Sequence, residues 1–334
     1  MLSSRLNIAR DDGLLPLTAR WIVFGARADD DLSALGADLQ VVQGFFPDVA
    51  ALRARGHDVV TEPSGAFDAA LVVLPRAKAA ARDLIAQAVV QCGTVWIDGQ
   101  KTDGADGLIR DLRSRGTVSS VIAKAHGKLF AFTGADLSDW RAEATRHGDG
   151  AITLPGVFSA DGPDRASVLL ASFLPPKMPG VVVDLGAGWG YLAREILQRE
   201  GVTACHLVEA DHAALTCART NVTDERAQFH WADALSFALP GGADHVVTNP
   251  PFHIARAADP GLGRDFIVAA ARLLKPQGKL WLVANRHLPY ETALTESFSK
   301  VTLLSDDPAF KVVQAERPLR QSNRPSNRTA RTSR

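Results

Sequence analysis

Short apolar runs rich in β-branched residues alternate with longer stretches of helical spacing along most of the chain. Runs of this kind suit strands buried on both faces, and the stretches between them suit helices packed over a sheet. In the first half, strands are expected at 21–24, 39–42, 69–74, 94–98 and 129–132, with helices over 77–91 and 107–115. From residue 181 onward, strands at 181–184, 204–209, 228–232, 245–249 and 279–284 alternate with helices at 190–200, 212–220, 263–274 and 289–298. Two closing strands, 301–304 and 310–314, are near enough for a short turn, so the last can run antiparallel. The fold class expected is α/β, with a mostly parallel seven-stranded sheet in the second half. Residues 151–178 join the halves: 153–159 is turn-rich, 167–174 reads as a short amphipathic helix, and Pro175, Pro176 and Pro179 end it.

The halves echo one another. Phe67-Asp68-Ala69-Ala70-Leu71-Val72-Val73-Leu74-Pro75 resembles Ala243-Asp244-His245-Val246-Val247-Thr248-Asn249-Pro250-Pro251, and Gly93-Thr94-Val95-Trp96 resembles Gly278-Lys279-Leu280-Trp281. The first half therefore reads as a duplicated domain, with an unrelated α/β domain as the alternative. It has no rich glycine loop, since Gly25-Ala26-Arg27 lacks the second and third glycines.

Such a loop does exist downstream. Val181-Val182-Val183-Asp184-Leu185-Gly186-Ala187-Gly188-Trp189-Gly190-Tyr191 reads as a strand, a tight turn and a helix start. Glycines allow a sharp turn and close approach of a ligand, and the helix N-terminus offers N–H groups. The third glycine comes one position earlier than in the dinucleotide fingerprint. Asp184 stands where it would repel a pyrophosphate and welcome an amino-acid ammonium. Glu209, at the end of the next strand, can take both hydroxyls of a ribose. A ligand with an adenosine end and a methionine-like end fits both acids.

Asp184, Glu209, Asp233 and Asn249 all fall at or just past the carboxyl ends of expected strands, where ligands gather in open α/β sheets. In Asn249-Pro250-Pro251-Phe252 the two prolines stiffen the loop and supply no N–H. The Asn249 side-chain oxygen and the Pro250 carbonyl can accept both hydrogens of an exocyclic amine, while Phe252 stacks on the ring that bears it. The lone pair of such an amine is delocalised, so aiming it matters more than a strong base.

Composition bounds the setting. The 334 residues suggest two domains, and 46% hydrophobic with 22% charged residues is ordinary for a globular protein. Cys92, Cys205 and Cys217 show no metal-ligand spacing and cannot all pair, which implies a reducing cytoplasm and no metal. Nothing suggests a signal peptide or a membrane span. Net charge is zero, yet Arg317, Arg320, Arg324, Arg328, Arg331 and Arg334 crowd an end with no acid. That end reads as a basic disordered tail suited to phosphates, or as a solubilising end only. The six tryptophans read as core. His253 reads as an RNA contact, an aid to proton loss or a structural hydrogen-bonder, Arg286 and His287 as substrate contacts or plain surface, and Lys311 as a solvated strand residue or a phosphate contact.

These motifs resemble class I S-adenosylmethionine-dependent methyltransferases. Residues 153–159, Asn249–His253, Val283–Tyr290 and Phe310-Lys311-Val312 resemble, more narrowly, the RsmC-type ribosomal RNA guanine-N2-methyltransferases. The resemblance is good over 150–316 and weak before it. It implies two tandem Rossmann-like methyltransferase domains, of which only the second holds S-adenosylmethionine: a degenerate domain at 1–150, a catalytic domain at 151–316 and the tail at 317–334. It assigns Asp184, Gly186, Ala187, Gly188 and Gly190 to the methionine end of the cofactor. Glu209 with Ala210 falls to the ribose, and Asp233 with Ala234 to the adenine amine. Asn249, Pro250 and Phe252 would hold the guanine, with Pro251, His253 and Arg286 as further substrate contacts. Ala187 stands where relatives often have cysteine. The implied partner is ribosomal RNA or a ribosomal subunit, met by a monomer, with 16S preferred to 23S RNA. The alternatives are methylation of a protein glutamine or an adenine N6, and a non-catalytic RNA-binding assembly factor.

Overall fold

The computed structural model describes residues 2–319 other than Leu17, Ala135, Phe252, Ala255, Arg256 and Asp259. The chain forms two compact units, one around each large sheet; the first takes in 1–162 together with 209–221 and 231–233. Among the described residues no helix is long and apolar enough to cross a membrane.

In the first unit the strands are β1 (Trp21–Phe24), β2 (Leu39–Val42), β3 (Asp58–Val60), β4 (Ala69–Val73), β5 (Thr94–Gln100), β6 (Gly116–Val118), β7 (Ile122–Lys124) and β8 (Gly127–Gly134). Helices α1 (Leu2–Asp11), α2 (Phe46–Ala54), α3 (Lys78–Gln91) and α4 (Ala105–Arg113) accompany them. The sheet runs β3-β2-β1-β4-β5-β8-β6, with β7 paired to β8. The first five strands are parallel, and β8 is antiparallel to both β5 and β6. Alternate side chains of each strand enter two separate cores. Ile22, Phe24, Val72 and Ile97 pack in one, and Trp21, Val23, Leu71 and Trp96 in the other. That two-sided burial explains why the strands read as continuous apolar runs.

A short hairpin, β9 (Thr145–Arg146) with β10 (Ile152–Thr153), and helix α5 (Arg165–Phe173) follow. The second sheet contains β11 (Lys177–Leu185), β12 (Glu200–Glu209), β13 (Ala227–Trp231) and β14 (Ala243–Thr248). After a small hairpin of β15 (His253–Ile254) and β16 (Ala257–Ala258), it is completed by β17 (Leu274–Asn285), β18 (Phe298–Leu303) and β19 (Phe310–Pro318). Helices α6 (Tyr191–Leu197), α7 (His212–Asn221), α8 (Pro260–Leu273) and α9 (Glu291–Ser297) lie between them. The order is β13-β12-β11-β14-β17-β19-β18. Strand β11 is parallel to β12 and β14, β14 to β17, and β19 is antiparallel to both of its neighbours.

From β12 to β18 the second sheet repeats the order and directions of β2 to β6 in the first, and β13 takes the place of β3 at the edge, while β7 has no counterpart in this order. The echoed segments occupy equivalent places: 67–75 and 243–251 contain the fourth strand of each order, while 93–96 and 278–281 overlap the fifth. Strand β19 continues to Pro318, past the expected end at 314, so Arg317 and Pro318 belong to the sheet; Arg320 and the rest of the expected tail lie outside the described residues.

Candidate active site

In the second sheet the strand order reverses between β11 and β14, and the crevice at such a switch point is where open α/β sheets take ligands. Both motifs singled out in the sequence leave from it. Asp184 and Leu185 end β11, and the chain turns through Gly186, Gly188 and Gly190 at φ values of +80°, +55° and +92°. Only glycine adopts these angles without steric cost. The Val208 carbonyl, near the end of β12, accepts hydrogen bonds from Gly186 N at 2.9 Å and Ala187 N at 3.1 Å, which pins the loop to the neighbouring strand. Gly190 then begins α6. A Cβ on Gly186 would meet the Phe266 ring at 3.3 Å, whereas one on Gly188 would meet nothing within 4 Å. The first glycine serves packing, and the space beside Gly188 leaves room for a ligand. Asp184 itself is fully buried.

Glu209 closes β12, and its Oε1 accepts from Asp211 N at 2.8 Å. Its carbonyl accepts from Ala232 N at 3.0 Å, which brings the residues after β13 beside it: half-buried Asp233 and buried Ala234. Asp211 has its carboxyl pushed above the usual range by burial, against the lowering effect of the Ala213 and Ala214 N–H groups at the start of α7.

Asn249 follows β14, whose last residue, Thr248, donates its hydroxyl to Leu185 O at 2.7 Å. The Asn249 amide nitrogen donates twice, to Asp164 Oδ2 at 2.9 Å and to Ser167 Oγ at 2.9 Å. Asp164 is the N-cap of α5, accepting from Ser167 N at 2.9 Å. Pro250 is buried and Pro251 exposed. Phe252 and the side chain of His253 lie outside the described residues.

Two cations are engaged with the backbone, and one of them, Lys311, is placed otherwise than the sequence suggests. Exposed Arg286 donates to the carbonyls of Asp307 at 2.7 Å, Ser305 at 3.0 Å and Phe310 at 3.3 Å, so it clasps the turn before β19. Lys311 is neither solvated nor positioned for a phosphate: it is buried and donates to Leu288 O and Glu291 Oε1, each at 2.5 Å. His287 is exposed. Asp164 and Ser167 were not singled out from the sequence. An acid just ahead of an apolar helix is a cap signal, and it is the feature of the sequence that could have marked Asp164.

A family model for the methyltransferase small domain matches residues 150–314. The ribosomal RNA small subunit methyltransferase C of Alcanivorax borkumensis is 31% identical over 265 residues, covering 73% of this chain and 79% of its own. The protein of the same name from a Shewanella strain is 29% identical over 74% of this chain and 76% of its own. Among solved structures, the T. Thermophilus 16S rRNA N2 methyltransferase RsmC, in complex with AdoMet and guanosine, matches with a TM-score of 0.72 and 24% identity, over 94% of this chain and 92% of that one. The last likeness extends the shared fold over both sheets, and the first, at its identity and coverage, decides the family: the chain belongs to the ribosomal RNA small subunit methyltransferase C family.

Proposed function

We infer that the catalytic domain, residues 151–316, transfers a methyl group from S-adenosylmethionine to the exocyclic N2 amine of a guanine in 16S ribosomal RNA, the chemistry named for its structural relative. The residues present fit that cofactor. The open side of Gly188 gives a cradle that a Cβ would fill, the buried Asp184 carboxylate suits an ammonium, and a carboxylate at the end of β12, Glu209, suits the hydroxyls of a ribose. Gly186, Ala187 and Gly190 shape the methionine end, Ala210 lines the ribose, and Asp233 with Ala234 receives the adenine amine. When bound, the cofactor supplies an electrophilic methyl on a sulfonium.

The observation that carries the reading is the fixed Asn249 amide. With both N–H groups of Nδ2 engaged, Oδ1 is turned to the other side as an acceptor. Together with the Pro250 carbonyl it holds the two hydrogens of the guanine amine and aims the nitrogen lone pair at the methyl. Phe252 stacks on the base, with Pro251 and His253 beside it, and the base leaves its stack to arrive there. Arg286, exposed while bound to three carbonyls, is a further substrate contact at the surface. The degenerate domain, 1–150, and the arginine-rich end contribute to holding RNA, and the enzyme works as a cytoplasmic monomer without a metal.

The test is methylation of 16S RNA and of assembled small subunits that lack the modification, followed by nuclease digestion and mass mapping. One new N2-methylguanosine is expected. A methyl group on an adenine or on protein, or none, would overturn the reading.

A further inference from the structure

Asn249 has no intrinsic preference for showing its oxygen to a substrate. An amide is nearly symmetric in shape, and turning it by half a rotation would present two N–H donors in place of an acceptor. Something must break that symmetry. In this chain it is the first turn of α5. The Asp164 carboxylate can only accept, so the Asn249 edge facing it must be the NH2 edge, and the 2.9 Å contact is charge-assisted. Ser167 Oγ, buried, takes the second hydrogen at 2.9 Å. The same Asp164 oxygen accepts from Ser167 N, which fixes the carboxylate as the helix cap.

We propose that Asp164 and Ser167 are positioning residues that set the polarity of the substrate site: they hold Asn249 as an acceptor and thereby make the site read an amine. The proposal rests on the reading of Asn249 as the group that binds the guanine N2 amine. Its consequence is a specificity determinant lying outside the Asn-Pro-Pro loop, at the start of α5. Without the pair the amide samples both orientations. In the wrong one it repels the amine and offers donors to a carbonyl.

Two variants separate this role from simple folding. Asp164→Ser keeps a good N-cap on α5 while removing the carboxylate from Asn249, and Ser167→Ala removes the second acceptor. Each is expected to lower kcat for guanine methylation by about tenfold, the scale of one hydrogen bond to a charged or transition-state group. The cofactor dissociation constant and the thermal midpoint should stay near those of the unaltered protein. Ser167→Thr, which keeps the hydroxyl, should restore kcat. The decisive readout is base discrimination. The unaltered enzyme should bind an RNA with guanine at the target better than the same RNA with inosine, which lacks the 2-amino group. In the Asp164→Ser, Ser167→Ala double variant that preference should vanish. If the unaltered enzyme fails to methylate guanine, the functional reading falls. If it does methylate guanine and the double variant keeps its full preference and rate, the positioning role alone is overturned.

Discussion

The two sheets follow the same strand order and differ at the ends of their central strands. In the second, β11 leads into three left-handed glycines with open space at Gly188. In the first, β1 leads to a single turn at Gly25, φ +74°, where an added Cβ would lie 2.8 Å from the Val73 carbonyl. The chain then sends Arg27 across to donate to Leu74 O at 3.2 Å, just past β4. Nearby, Arg5 of α1 is fully buried and grips Asp98 of β5 through two bonds, of 2.5 and 2.7 Å, while its third nitrogen holds Lys124 O. What remains is a cavity of about 160 Å³ lined by Arg27, Asp98 and their neighbours, below the size usual for a cofactor site. A common architecture therefore carries a ligand crevice in one copy and a polar plug in the other. Chemistry resides in the strand-end loops, and the sheet beneath is indifferent to it.

The largest effect that follows concerns the plug. Removing one member of a buried pair leaves the other uncompensated, so Arg5→Leu should destabilise the protein by about 3–5 kcal/mol in denaturant titration at neutral pH. Burial already raises the Asp98 carboxyl above its usual pKa, with Arg5 opposing it. In the variant that opposition is gone. The folded state then holds a proton that the unfolded state releases, so stability should fall as pH rises from the ordinary carboxyl range toward neutrality. A loss that is the same at acidic and neutral pH would show that Arg5 serves packing and not charge.

Next in size is the crevice. Glu209→Ala should weaken S-adenosylmethionine binding at least about tenfold, since charge-assisted hydrogen bonds of roughly 1.5–3 kcal/mol are lost. An unchanged dissociation constant by calorimetry would remove Glu209 from the ribose. Its Oε1 would then serve only the backbone turn it already holds at Asp211.

The smallest effect reports on the two sheets separately. Cys92 of the first unit is pushed up to about 11 by burial, helped by Asp68, and Cys205 of β12 is raised well above its usual value, chiefly by burial. Both thiols are buried and should resist alkylation at neutral pH in the native protein. In sub-denaturing conditions each reacts as its own sheet opens. Arg5→Leu should speed labelling of Cys92 more than of Cys205, measured by mass spectrometry of peptides. Equal acceleration would mean that the sheets open together.

Much of this was legible because parallel strands buried on two faces leave plain apolar runs: β1 and β2 begin and end where the sequence expects. The exceptions have physical causes. Helix α1 escaped notice because its buried stripe of Leu2, Leu6 and Ala9 includes Arg5, whose partner lies 93 residues away. Strand β11 starts at Lys177, before the expected 181, because Gly180 at φ +101° breaks the register and lets Pro179 sit in an irregular stretch. Asp184, the glycines and Asn249 stood out by type and spacing. Asp164 and Ser167 did not, since their relation to Asn249 spans 85 and 82 residues and only the fold supplies it.

Arg286 and Lys311 form a reciprocal clasp. Arg286, directly after β17, holds carbonyls of the β18–β19 connection, while Lys311 of β19 holds Leu288 O and Glu291 after β17. Viewed as a polyelectrolyte problem, the clasp changes how RNA is met. Affinity for a polyanion grows with the small ions displaced by protein cations, about 0.7 in logarithmic salt slope for each single-strand phosphate neutralised. Cations committed to their own backbone release few such ions. Residues 151–316 hold fourteen Lys and Arg against eighteen Asp and Glu, and the clasp draws further on that minority. On the proposed reading, the body around the crevice would be kept weakly attractive to bulk RNA, so that fit of the target base, and not indiscriminate charge, would govern what stays bound there.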